Sequence, residues 1–231
     1  MRILVMSDIH GEYDIMQRVL DKGKYDPKQD KLILLGDYID RGNQAKQVIA
    51  AIKEFIANGA IALLGNHEKI MIDALAAKDY RLWDINGGVE TRSSYHNSLD
   101  DMKEDAEFLK TLPLYYETEN YLFTHAGITP GIAIEDQTER VLLWSSPEEY
   151  IGIYKGKTLV CGHTPVQSIM DNQLYNKPFR QGDILFIDTG MGWRQNLTLL
   201  DLTQKIYWQS WHRDKTKEPY RSAKLDIQYS A

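Results

Sequence analysis

The sequence predicts an α/β fold, and two observations predict it. Short apolar runs recur along the chain, most of them continuous rather than alternating, which marks strands covered on both faces. Stretches with apolar residues at helical spacing separate several of these runs, and strand–helix–strand–helix order is an α/β arrangement.

The runs at 3–6, 32–35 and 61–64 are the first three strands. Between the first two lies a helix over 12–22, with Ile15, Val19 and Leu20 on one side. A second helix over 44–58 carries Val48, Ile49, Ile52, Phe55 and Ile56, and Gly59 stands where a helix C-cap is expected. The third strand leads into a helix over 68–78 with Ile70, Met71, Ala74 and Leu75. A further helix over 101–112 carries Met102, Phe108, Leu109 and Leu112. Strands follow at 121–123, 159–161 and 184–187. Two more at 197–202 and 206–211 come in quick succession, which predicts a mixed sheet or a sandwich. Asn86–Gly88 (NGG) reads as a turn, and its position after the third helix sets it near any site built at the strand ends. The expected organisation is a single domain over 1–212 and a basic, polar tail over 213–231, within that domain or mobile.

Composition narrows the function. A chain of 231 residues that is 43% hydrophobic and 26% charged has enough apolar surface for one substantial core. Its formal net charge of -6 argues against nucleic acid as the main partner. The single cysteine, Cys161, allows no intramolecular disulfide, which suits a reducing compartment. The opening MRILVM is too short for a signal peptide, and no window approaches a membrane span. A cytoplasmic protein that does not engage membranes is expected. Cys161 reads as a packing residue, His96 and His212 as surface groups, and Tyr207, Trp208 and Trp211 as strand packing.

Polar signatures follow the strands at once: SDIHG, GDYIDRG, GNHE, THAG, GHTP and a weaker IDTG. In α/β sheets ligands gather outside the carboxyl ends of strands, so groups distant in sequence can converge there. Four of the six histidines (His10, His67, His125, His163) lie at these ends, with Asp8, Asp37 and Asn66. Carboxylate, imidazole and amide donors without thiolate suit manganese, iron or zinc. There are enough of them for two ions sharing one carboxylate, and two ions about 3.5–4 Å apart are a recurrent clamp for displacement at phosphorus.

SDIHG, GDYIDRG, GNHE, HAG and GHT, in this order, resemble the phosphoprotein phosphatase family within the calcineurin-like metallophosphoesterases. The resemblance spans Asp8 to Gly190, and the short chain is similar to the bacterial and phage members. It implies a four-layered α/β/β/α sandwich with mixed sheets and a dinuclear site between them. By matching motifs, Asp8 and His10 would hold one divalent ion, Asn66, His125 and His163 the other, and Asp37 would bridge both. The ions are expected to be manganese, with iron or zinc as alternatives. His67 matches the general acid, steadied by Asp40, and Arg41 matches the clamp on the substrate phosphate, with Asn66 and His67 beside it. The implied reaction is attack of a metal-bound hydroxide on a phosphomonoester, phosphoserine or phosphothreonine in proteins first, phosphotyrosine further. The alternative is symmetrical hydrolysis of dinucleoside tetraphosphates such as diadenosine tetraphosphate. A nuclease is disfavoured, because its relatives end the series with a GHxH pair where this chain has GHTP. One departure stands out: the family's second phosphate-binding Arg follows a Trp, yet VLLWSSPEEY has no Arg after Trp144. Arg92, Arg140, Arg180 and Arg194 are left without an assigned place.

Overall fold

A computed structural model describes residues 1–172 and 175–212, together with the backbone of 220–221. In chain order the first strands and helices are β1 (Arg2–Met6), α1 (Tyr13–Gly23), β2 (Asp30–Leu34), α2 (Ala45–Ala57), β3 (Ile61–Ala62) and α3 (Asn66–Ala77). Three helices follow, α4 (Arg81–Ile85), α5 (Gly88–Ser94) and α6 (Leu99–Leu109). The second half runs β4 (Tyr115–Glu117), β5 (Tyr121–Thr124), α7 (Glu139–Trp144), β6 (Thr158–Cys161), α8 (Val166–Ile169), β7 (Phe179–Gln181) and β8 (Ile184–Phe186). It closes with β9 (Asn196–Asp201), β10 (Ile206–Trp211) and β11 (Tyr220–Arg221).

Two mixed sheets result. One has the order β11-β10-β9-β1-β2-β3 and the other β4-β5-β6-β8-β7. β1 pairs in parallel with β2, and β2 with β3, while β9 runs antiparallel to β1. In the second sheet β5, β6 and β8 are mutually parallel and flanked by antiparallel β4 and β7. Each sheet thus has three parallel strands whose carboxyl ends share an edge, and these six strands carry the six polar signatures.

Three apolar layers hold the four structural layers together. Between the sheets pack Val5, Ile33, Leu35, Leu63, Phe123, Val160, Leu185 and Leu200. Leu4 and Met6, the alternate residues of β1, face the other way into a core with Ile15, Val19, Val48, Ile52 and Leu109 of the first helical layer. Leu122, Leu159, Cys161 and Phe186 face Leu142, Tyr150 and Val166 on the far side of the second sheet. Burial on both faces is the physical reason the strands read as continuous apolar runs. The predicted α/β/β/α sandwich is the observed one.

All eight predicted strands and four predicted helices are present, with ends moved by up to three residues. Gly59 (φ +93°) lies one position past the α2 C-cap, Asn58. The NGG turn joins α4 to α5, two helices the periodicity did not show. The predicted tail falls mostly outside the described residues, though the backbone of 220–221 adds a short edge strand to β10. Among the described residues no helix is long and apolar enough to cross a membrane.

Candidate active site and metal centre

The loops after β1 and β2 are locked together by backbone hydrogen bonds. The N–H groups of Asp8, His10 and Gly11 donate to the carbonyls of Gly36, Asp37 and Tyr38 at 3.1, 2.9 and 2.8 Å. The interlock requires sharp turns, and Asp8, His10, Asp37, Asp40 and Arg41 all adopt left-handed backbone conformations, as does His163. At Gly36 (φ +99°) the requirement is absolute, since a Cβ would lie 2.6 Å from the Gly65 backbone and 2.9 Å from His125 Nδ1.

Three of the four site histidines have one ring nitrogen engaged behind them. His10 Nδ1 meets the Ile39 carbonyl at 3.0 Å, His125 Nδ1 the Leu35 carbonyl at 2.8 Å, and His67 Nδ1 the Asp40 carboxylate at 2.7 Å. A ring N–H donating to a carbonyl or carboxylate leaves Nε2 as a lone-pair donor, the usual arrangement around a bound metal. The Nε2 atoms of His10 and His67 both stand 3.9 Å from Asp37 Oδ2, while His125 Nε2 is 3.4 Å from Asp37 Oδ1. Asn66 Oδ1 lies 2.8 Å from His125 Nε2 and 2.9 Å from His163 Nδ1.

With both ring nitrogens of His125 facing oxygens, lone pairs converge without enough protons between them. That donor chemistry fits a divalent cation. His10, Asp37 and His67 form one group of mutually close ligand atoms, and Asp37, His125 and His163 form another, so Asp37 is common to both.

The electrostatics keep these donors ready. Burial lowers His10 and His125, and burial with the neighbouring His125 brings His163 down to about 4, so all three rings are neutral at physiological pH. Burial would raise Asp37, but the surrounding histidines hold it well below the usual carboxylate range. Burial and the neighbouring Asp37 raise Glu68, while His67 and the N–H groups of Tyr38 and Asp37 favour its charged form.

On one flank sit His67 and Asp40. Burial disfavours the charged ring of His67, yet Asp37 and the Asp40 hydrogen bond outweigh it and the pKa is raised. The other Asp40 oxygen accepts from Trp83 Nε1 at 2.8 Å and from Thr91 Oγ1 at 2.6 Å, and Thr91 Oγ1 accepts from Asp40 N–H at 2.8 Å. Arg41 reaches across the site, its guanidinium 3.3 Å from His10 Nε2 and 3.1 Å from His67 Nε2. Its own N–H donates to the Gly87 carbonyl of the NGG turn at 3.2 Å, which puts that turn at the site as expected.

Every residue singled out from the sequence is therefore gathered at one place, but Asp8 stands apart from the two tight groups. Its carboxylate accepts the Ser7 hydroxyl and the His163 N–H, the latter at 3.1 and 3.2 Å. Burial, Asp188 and Asp37 raise its pKa.

Three contributors were missed. Trp83 and Thr91 lie on helices without an apolar stripe, and their only sequence signal is the adjoining NGG. Asp188, from the weaker IDTG signature, is buried beside Asp8 and is pushed up to about 7 by burial. His212, expected on the surface, instead pairs with Glu12 Oε1 at 3.0 Å, because β10 ends over the first loop. Cys161, Tyr207 and Trp208 are buried packing residues and His96 is exposed, as read, whereas Trp211, read as strand packing, is exposed at the end of β10.

Of the unassigned arginines, Arg92 pairs with Asp84 behind Trp83, and Arg180 is held by the Gly182 carbonyl at the far sheet edge. Arg140 borders a surface cavity with Trp144 and Glu149. Arg194 is exposed, has no side-chain partner among the described residues, and lies two positions past Gly192. A Cβ on Gly192 would press on the His10 ring at 2.7 Å and on the Arg41 guanidinium.

This fold and this cluster of histidine, aspartate and asparagine define a metallophosphoesterase. Residues 1–207 match the calcineurin-like phosphoesterase family, and the chain belongs to it. The family uses divalent metals, and the chain is a hydrolase of this superfamily. A serine/threonine-protein phosphatase 1 of Salmonella typhimurium is 30% identical over 211 residues, covering 85% of this chain and 90% of that protein. A symmetrical bis(5'-nucleosyl)-tetraphosphatase of Pasteurella multocida is 33% identical over 133 residues, which is 56% of this chain. The chain spans about half the length of the tetraphosphatases it matches, 46% in that case. A metallophosphoesterase from Sphaerobacter thermophilus shares the fold with a TM-score of 0.58 at 16% identity, over 97% of this chain and 89% of its own.

Proposed function

We propose that the chain is a phosphoprotein phosphatase of the bacterial and phage type, a single catalytic domain over 1–212 acting on phosphoserine and phosphothreonine in proteins. Phosphotyrosine is a further substrate in this reading, and the setting is cytoplasmic. The observation that carries it is the Asp37 carboxylate lying between two histidine groups, with Arg41 and the Asp40–His67 pair on one flank. Asp8, His10 and Asp37 would hold one divalent ion, and Asp37, Asn66, His125 and His163 the second. Manganese is the first candidate, with iron and zinc as alternatives, since oxygen and imidazole donors without thiolate suit all three. Such ions supply Lewis-acid charge for phosphoryl oxygens and acidify bound water.

The chain's own residues do the rest. Arg41 binds the phosphoryl oxygens through a planar fork suited to them, next to Asn66 and His67. His67 keeps Nδ1 toward Asp40 and turns Nε2 toward the departing oxygen, to which it delivers a proton. Trp83 and Thr91 fix the Asp40 carboxylate, which fixes the ring.

The serine/threonine phosphatase relative supports this substrate range because its match runs nearly end to end. A second reading, symmetrical cleavage of dinucleoside tetraphosphates, is favoured by the higher identity of the shorter matches. A competition assay offering a phosphoserine peptide and diadenosine tetraphosphate to the manganese-loaded protein separates them. Preference for the peptide supports the first reading; a clear preference for the nucleotide replaces it with the second.

A further inference from the structure

The most densely bonded buried group around the site is one to which the reaction assigns nothing. Glu68 is the third residue of α3 and is fully buried. In a capping box such a residue reaches back to the N–H of the N-cap, and Glu68 Oε2 does accept from Gly65 N–H at 3.0 Å. It then goes further. The same oxygen accepts from Asp37 N–H at 2.8 Å, and Oε1 accepts from Tyr38 N–H at 2.8 Å and Ile39 N–H at 3.3 Å. Four backbone donors, one from its own N-cap and three from a loop about 30 residues away in sequence, thus converge on one carboxylate.

All four are N–H groups, so both oxygens can only accept. Three of them belong to the turn that holds Asp37 in a left-handed conformation (φ +56°) and aims its side chain at the histidines. On the opposite side of the same residue, the Asp37 side chain accepts the His67 N–H at 3.1 Å. The peptide and the side chain of Asp37 are therefore both tied to the first turn of α3, the peptide through Glu68 alone.

We infer that Glu68 is a positioning residue for the metal centre: it holds the shared carboxylate of Asp37 at the geometry two ions require. The inference rests on Asp37 as the shared ligand. Glu68→Gln is isosteric but presents an NH₂ to N–H donors on one side, so it breaks one pair of these bonds without opening a cavity.

Two measurements test it, neither of them turnover. Titration of Mn²⁺ into metal-free protein by calorimetry is expected to show affinity about 10- to 100-fold weaker in Glu68→Gln, the usual loss when a group orienting a ligand is removed. Hydrogen–deuterium exchange of the metal-free protein is expected to speed up roughly tenfold at the amides of Asp37, Tyr38 and Ile39, with α1 and α2 unchanged. Mn²⁺ affinity within threefold of wild type overturns the inference. So does uniform acceleration over the whole chain, which is what a merely structural role would give. Should Glu68→Gln not fold, Glu68→Asp, which keeps the charge and shortens its reach, is read by the same criteria. Wild-type protein that binds no Mn²⁺ would sink the metal reading itself, while the exchange data would still judge Glu68.

Discussion

Asp40→Asn probes how the chain delivers a proton. One carboxylate oxygen of Asp40 is pinned by Trp83 and Thr91, both of which donate to it. In the variant the amide oxygen must occupy that position, because an NH₂ there would face two donors. The NH₂ is then left pointing at His67 Nδ1, where the wild-type contact is 2.7 Å. His67 can no longer donate from Nδ1 and loses the anion that favours its protonated form. A hydrogen bond to a charged group contributes about 1.5–3 kcal/mol. At about 1.36 kcal/mol per decade of rate, kcat should fall roughly 10- to 150-fold. The fall should depend on the leaving group. A phosphoserine peptide releases an alkoxide that must be protonated, whereas 4-nitrophenyl phosphate releases a phenolate that leaves unprotonated. The assay is kcat for both substrates, with metal content measured alongside. Equal losses on both, or a loss of metal, would refute the assignment of the Asp40–His67 pair to leaving-group protonation.

Other outcomes follow from the same geometry. His67→Asn should retain bound metal and slow turnover by ~10²–10⁴-fold, the range for losing a general acid, whereas Asp37→Asn should lose metal; equal metal loss, measured by mass spectrometry, would contradict the roles. Arg41→Ala should raise the inhibition constant of inorganic phosphate by at least tenfold, as expected when a charged hydrogen-bonding partner is removed, and Arg194→Ala should raise it less. An effect of Arg194→Ala as large as that of Arg41→Ala would identify the second clamp missing after Trp144. Burial pushes Asp188 up to about 7, so it is partly protonated at pH 7 in the metal-free protein, and burial raises Asp8 in the same direction, while His10, His125 and His163 are lowered. Metal entry at pH 7 should therefore release protons. Calorimetry in two buffers of different ionisation enthalpy measures this, and net uptake would be the wrong sign.

Eight strands were legible because burial leaves continuous apolar runs, and the long helices because each has one apolar side; the short edge strands β4 and β7, only partly buried, were not. α4 and α5 were not, for a reason visible in their burial. Their large aliphatic residues Leu82, Ile85 and Val89 face outward, while Trp83 and Thr91 are buried against Asp40. That is the reverse of an amphipathic pattern, and two glycines interrupt it. The candidate ligands could be read from motifs at strand ends, but not the groups packed behind them. The Trp83–Asp40 contact joins residues 43 positions apart, and only the packing of α4 on the second loop creates it. Glu68 was visible within GNHE as a helix residue, and nothing in its spacing says that three of its four donors come from another loop.

The left-handed residues explain why this site had to be built around such a hub. Asp8, His10, Asp37, Asp40, Arg41 and His163 all carry positive φ. Each such residue costs about 1–2 kcal/mol, less for Asp and His than for branched residues. The sum is comparable to the net stability of a domain, about 5–15 kcal/mol. Something must hold the loops in that form. The bonds that do so all engage backbone groups: the interlock of the first two loops, the Glu68 carboxylate with its four N–H donors, and Tyr38 Oη donating to the Leu63 carbonyl at 2.7 Å. None of these atoms is a candidate metal ligand. None of these bonds requires an ion, so an entering ion is expected to meet donors already held in place and not to bear the entropy of ordering three loops. Coordination then adds affinity to a formed site rather than folding it. On this reasoning the residues that most control metal affinity include some that never touch a metal, and Glu68 stands first among them.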